Sequence, residues 1–154
     1  MSMSARMTSP AYVLPGVADA LQAINDAVLA TGLPAELVEL VQLRASQLNH
    51  CAVCVDGHWR LGRRFGASDE KLFAVGVWRH ALYYSETERI ALDVTEELTL
   101  LPGRPEALGD DLWERAAGAF DADQLAALIV AVGQINSWNR MNHAVHGQAG
   151  SWRP

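Results

Sequence analysis

Glu39-Leu-Val-Gln-Leu-Arg-Ala-Ser-Gln-Leu-Asn-His-Cys51-Ala-Val-Cys54-Val-Asp-Gly-His58 holds both cysteines of this 154-residue chain. Its first half belongs to a helix that Pro34 opens and that carries Leu37, Leu40, Val41 and Leu48, with Glu36 and Glu39 on the same element. Asn49 and His50 mark a break. A further helix is expected from near Cys51 to Phe65, ending at Gly66. Residues three and four apart share a helix face, so Cys51, Cys54 and His58 fall on one stripe while Asp56 points elsewhere.

That stripe has the parts of a thiol-redox site. A thiol is a weak nucleophile until it ionises, and both a helix N-terminus and a neighbouring imidazole favour the thiolate. A second thiol can then close a disulfide on an oxidised sulfur. Spacing alone does not assign the two roles, although Cys54 lies one turn from His58 and is the better placed to attack a peroxide. Two other readings stay open at this point. Cys51, Cys54 and His58 form a partial zinc ligand set, with Glu39, His50 or another His as the fourth. The cysteines also fit as buried side chains with no chemistry. A c-type haem site is excluded, because Val55 occupies the place where it needs His.

Outward from this stretch, every signal is helical. Val17, Leu21, Ile24 and Val28 recur at helical spacing before Gly32. Ser68 is an N-cap followed by Asp69 and Glu70. Ser85 with Glu88, and Asp121 with Gln124, read as capping boxes. Leu101 to Pro105 is a loop, and a short helix follows around Leu112 to Ala119. The last helix runs from Leu125 to about Met141, and its run Leu125 to Val132 is too short to span a bilayer. Nothing alternates with period two. The expectation is an all-α bundle of roughly six to eight helices in a single domain, with an irregular arm to about Pro15 and a loose tail from Gly147 to Pro154. Trp59, Trp78, Trp113 and Trp138 are expected in the core or between subunits, and His50, His80, His143 and His146 at the surface.

Half the residues are apolar, enough for a core without staples, and the net charge is −6. An acidic chain without a basic cluster is a poor partner for nucleic acid or an anionic membrane. The first residues lack the apolar run of a signal peptide, which places the chain in the cytoplasm, where thiols stay reduced. Two cysteines in a CxxC in that compartment point to redox or metal chemistry before cross-linking.

The pattern of Glu39, eleven intervening residues, then Cys51, Cys54 and His58 resembles the AhpD-like branch of the carboxymuconolactone decarboxylase family. The resemblance continues through Gly66 to Glu70, Trp78, Ser85 to Leu92 and Gln134 to Arg140, with its core at about residues 35–101. It implies an AhpD-like helical fold, assembly into homotrimers or homohexamers, and reduction of alkyl hydroperoxides with no cofactor or metal. By position, Cys54 is then the attacking thiol, and Cys51 the resolving thiol open to a lipoyl- or thioredoxin-like dithiol partner. His58 is the base, and Glu39 the relay that orients it. One position departs: Val53 stands where the best-known peroxidase of the family has His. That departure keeps a dithiol-disulfide oxidoreductase with little peroxidase activity as the alternative, and a zinc-binding or interaction module as a third. His50 is the nearest substitute for the missing His in sequence.

Overall fold

The computed structural model describes residues 4–154, so Met1 to Met3 of the expected arm lie outside the described residues. Eight α-helices are present among them: α1 Pro10–Val13, α2 Val17–Ala30, α3 Ala35–Leu48, α4 Ala52–Arg64, α5 Asp69–Ala74, α6 Glu86–Thr99, α7 Asp110–Ala119 and α8 Ala122–Ala144. A 3-10 segment, Val75–His80, continues from α5. No strand occurs among the described residues, and the fold is the expected all-α bundle.

The sequence signals act where they stand. Ser68 accepts from the Lys71 amide. Both expected capping boxes close, Ser85 with Glu88 and Asp121 with Gln124. Pro34 sits one position earlier than expected, as the N-cap of α3. The arm contains a helical turn, α1, whose Ala11 is buried.

The centre of the bundle is α3, which packs against α4, α6 and α8. Nine of its fourteen residues are buried, including Leu40, Val41 and Leu43. Such a helix has no solvated face to offer a polar residue, so Glu39 and Gln42 are buried as well. The apolar run at the start of α8 is buried against α2, α3 and α6 through Leu125, Leu128, Ala131 and Val132. No helix among the described residues is long and apolar enough to cross a membrane.

Three helices end in the same turn. A residue in the left-handed region follows the C-cap, its amide bonds two positions back from the cap, and the next amide reaches the carbonyl three back. Gly66 takes this place after α4, with Gly66 N–H to Arg63 O and Ala67 N–H to Gly62 O. After α3 and α8 the place is taken by His50 (φ 55°) and His146 (φ 57°). Cys51 N–H then bonds Ser46 O at 3.0 Å, and Gly147 N–H bonds Asn142 O at 2.8 Å. The break before Cys51 is therefore a tight reversal that sends α4 back along α3.

Trp78 is buried as expected, whereas Trp113 is half exposed. The Trp78 indole donates to Glu96 Oε1 at 2.8 Å, and Arg44 and Arg79 converge on the same carboxylate. Burial pushes the Glu96 carboxyl up, but the Trp78 and Arg44 hydrogen bonds outweigh it and hold the group below its ordinary 4.5. Its stabilising contribution is therefore complete above the ordinary value and is lost as pH falls through the lowered one. Glu96→Ala should cost about 1–3 kcal/mol in urea unfolding at neutral pH, because it strands Arg44 and Trp78. The penalty should shrink as the pH falls below the ordinary 4.5 and through the lowered value; an undiminished penalty there would show that the carboxylate charge is not what matters.

Candidate functional site

Glu39 from α3 and His58 from α4 meet inside the protein, with Glu39 Oε2 2.8 Å from His58 Nδ1. Both residues are over nine-tenths buried. A carboxylate can only accept, so Nδ1 carries the proton in this pair and Nε2 is left as the basic position of the ring. The carboxylate thus fixes tautomer and ring orientation together.

Cys51 is the N-cap of α4, and Cys54 stands in its first turn. Their Cα atoms are 5.3 Å apart and the two sulfurs are bonded as a disulfide. That separation is ordinary for a bridge, so the turn before α4 brings the thiols together without displacing the helix. First-turn amides have no intrahelical acceptor and favour negative charge nearby, which supports a thiolate at Cys54 when the pair is reduced. Asn142 of α8 adds a further donor, its Nδ2 lying 3.5 Å from Cys54 Sγ.

The stretch Gln134 to Arg140 works behind the site. Asn49, the C-cap of α3, donates to Asn136 Oδ1 and Asn139 Oδ1 at 3.0 and 2.9 Å. Asn139 is wholly buried and donates to Ser46 Oγ at 3.0 Å. These amides tie the reversal before Cys51 to α8, the helix that also presents Asn142.

Cys54, His58 and Glu39 all line a cavity of about 530 Å³. Cys51 does not line it, and no part of Cys51 is exposed. The resolving role that resemblance gives Cys51 therefore comes with a sulfur that no partner reaches in this arrangement. His50 is exposed, sits in the left-handed turn and is not part of the cavity wall, so it does not replace the His missing at Val53. Val53 itself is on the wall. Among the described residues no group of three His, Cys, Asp or Glu side chains is arranged to hold a metal ion.

The tail expected to be loose is docked over this site. Trp152 packs against Cys51, Val53 and Cys54. Its ring meets His58 edge-on at 5.8 Å between centroids. Gly57 makes room for it: a Cβ there would lie 2.0 Å from the Trp152 ring. The Gly150 amide donates to Asp56 Oδ2 at 3.1 Å, and Arg60 holds the Asp56 carboxyl below the ordinary carboxylate range through their hydrogen bonds. Asp56, which the helix stripe points away from the thiols, thus anchors the segment that covers them. Asn142 and Trp152 were not legible as site residues. Neither forms a motif with the cysteines, and the only local hint was an aromatic residue in an otherwise polar tail.

The family model for the carboxymuconolactone decarboxylase family matches residues 15–97. An uncharacterised protein of Bacillus subtilis, YdfG, is 34% identical over 113 residues, covering 73% of this chain and 76% of its own length. The Escherichia coli protein YnjA, also uncharacterised, is 36% identical over 107 residues, covering 69% of this chain and 57% of its own. A crystal structure from Agrobacterium tumefaciens, of a protein of unknown function provisionally named an AhpD antioxidant-defence protein, superposes with a TM-score of 0.86 at 30% identity. It covers 97% of this chain and 100% of that one. The debrominase Bmp8 shares the fold at a TM-score of 0.70 and 22% identity, over 89% of this chain and 73% of that one.

Gly57→Ala should dislodge Trp152 while leaving the helices intact, since alanine is about 1 kcal/mol better than glycine inside a helix. Hydrogen exchange at the Gly150 amide should speed up while exchange in α3 stays as it was. A Gly150 amide as protected as in the unaltered protein would show that Trp152 does not depend on the gap at Gly57.

Proposed function

The chain belongs to the AhpD-like branch of the carboxymuconolactone decarboxylase family, and from that premise we propose that it reduces organic hydroperoxides through the Cys51–Cys54 pair. The observation that carries the reading is one cavity whose wall holds Cys54, one partner of the disulfide, beside a His58 whose proton position Glu39 sets.

In the reduced protein, His58 Nε2 takes the proton of the Cys54 thiol. The thiolate attacks the outer oxygen of the hydroperoxide, and the O–O bond breaks. The alkoxide receives the proton from His58 and leaves as an alcohol, while Cys54 becomes a sulfenic acid. Cys51 sulfur then attacks Cys54 sulfur; the S–S bond forms and water leaves with the hydroxyl oxygen and the Cys51 proton. Two electrons have passed from the two thiols to the peroxide. An external dithiol returns them by exchange through a mixed disulfide. With Val53 in place of the relay His, Glu39 and His58 carry the proton work, and the Asn142 amide steadies the sulfur as charge develops on it.

The alternative, a dithiol-disulfide oxidoreductase acting on protein partners, is less well served. Cys54 is 3% exposed and Cys51 not at all, both beneath Trp152. A small peroxide entering the cavity reaches Cys54 more readily than a folded partner does. The same burial favours a slender reductant, such as a lipoyl arm, over a flat thioredoxin-like face. We place this chemistry in the reducing cytoplasm. We also assign it to a homotrimer or homohexamer, for which the exposed Phe73, Val77, Leu82 and Tyr83 are the natural contact residues.

Mixing the pre-reduced protein with excess cumene hydroperoxide, and counting thiols over time, should show both thiols lost together. Cys54→Ser should keep its remaining thiol, while Glu39→Gln should slow the loss by about 10²-fold or more. Survival of both wild-type thiols, with ready exchange against a small disulfide, would favour the oxidoreductase reading.

A further inference from the structure

The cavity carries information about its ligand beyond the reacting group. Its volume of about 530 Å³ is of the size that holds a small organic molecule and far exceeds what hydrogen peroxide needs. Its apolar walls include Met7, Tyr12, Val53, Ile135, Trp138 and Trp152. Tyr12 and Trp138 lie 5.8 Å apart between ring centroids with their planes tilted by 44°. Among the described residues no lysine or arginine lines the cavity. Its one carboxylate, Glu39, is already hydrogen-bonded to His58. The remaining polar walls are hydroxyls, amides and backbone, and two of them, the Ser9 hydroxyl and Gln134 Oε1, have no partner among the described residues. Gln134 is itself more than nine-tenths buried.

Such a chamber discriminates by charge. A ligand carboxylate would give up its hydration and find no lysine or arginine among the described residues in return; the imidazole of His58 is already engaged by Glu39, itself a like charge on the same wall. A neutral ring loses nothing of that kind and gains aromatic contact. The walls that decide this come from both ends of the described chain. Residues 5–12 are pinned by Arg6 N–H to Val145 O at 2.8 Å. Residues 147–152 are pinned by Gly150 to Asp56.

We infer that this cavity is a binding chamber for uncharged organic molecules with an aromatic or branched hydrocarbon body, so that neutral aryl-alkyl hydroperoxides are taken and carboxylate-bearing ones refused. The inference refines the peroxidase reading, which supplies its reacting group, and it is testable apart from that reading.

The probes are 2-phenylpropan-2-ol, the unreactive alcohol of cumene hydroperoxide, and its 4-carboxylate, titrated into the whole protein by calorimetry. The neutral alcohol should bind about tenfold or more tighter than the carboxylate. Tyr12→Ala, at an exposed position that leaves the core alone, should weaken the alcohol by about two- to tenfold. Asn25→Lys, which puts an ammonium on the wall, should close the gap between the two probes. Equal affinities, no binding of the alcohol, or an alcohol affinity indifferent to Tyr12→Ala would overturn the inference. Binding with the expected selectivity but no thiol loss with the matching hydroperoxides would uphold the chamber and refute the peroxidase. Equal thiol-loss rates with the neutral and carboxylate hydroperoxides would refute the chamber's selectivity and leave the peroxidase standing.

Discussion

A carboxylate and an imidazole, 2.8 Å apart and almost out of reach of water, join the central helix to the helix that carries the cysteines. Neither group could be buried alone at tolerable cost; losing one partner of such a pair typically destabilises by about 3–5 kcal/mol. The pair therefore constrains how α3 and α4 lie against each other. Once that angle is set, Cys54 is placed one turn from His58 on the cavity wall, and the reversal at Asn49 and His50 has to be tight. Stability and chemistry draw on the same contact, since the bond that makes Glu39 tolerable in the interior also holds the His58 proton on Nδ1.

The remaining polar interior serves that reversal. Asn49, Ser46, Asn136 and Asn139 form a linked set of amides and one hydroxyl between α3 and α8. A network of this kind is valuable only when its members are satisfied, and it then specifies one arrangement of the helices. Here it registers α8 against α3 so that Asn142 arrives beside Cys54. Two of the histidines outside the site, His50 and His146, occupy left-handed turns at the ends of the same two helices. Their places in the chain are explained by backbone geometry, a conformation histidine adopts more readily than most residues.

Most of the fold was legible because its signals are local. Capping pairs such as Ser85 with Glu88 and stop residues such as Gly66 act within a few residues, and their effect does not depend on the rest of the chain. His58 was legible because helical periodicity puts it on one stripe with the cysteines, whereas Glu39 was legible only through the family pattern that fixes its spacing to Cys51. Asn142 and Trp152 reach the site across 88 and 98 positions of chain, and no periodicity connects them to it. The docking of residues 147–154 rests on isolated contacts, among them Trp152 in the gap at Gly57, Gly150 on Asp56 and Arg64 on the Pro154 carbonyl, which composition does not register. Trp152 adds to the cover over the two cysteines, and that share of their burial was hidden with the docking.

Cys54 is the sulfur that we propose a peroxide meets first. In Cys51→Ser the oxidised product has no thiol to condense with, so it persists long enough to be trapped. Treating that variant with one equivalent of cumene hydroperoxide in the presence of dimedone, and locating the adduct by peptide mass spectrometry, tests this most directly. A dimedone adduct on Cys54, in near-stoichiometric yield, is the expected result. No adduct on Cys54 in this variant, with Cys51 labelled instead in the reciprocal Cys54→Ser protein, would contradict it.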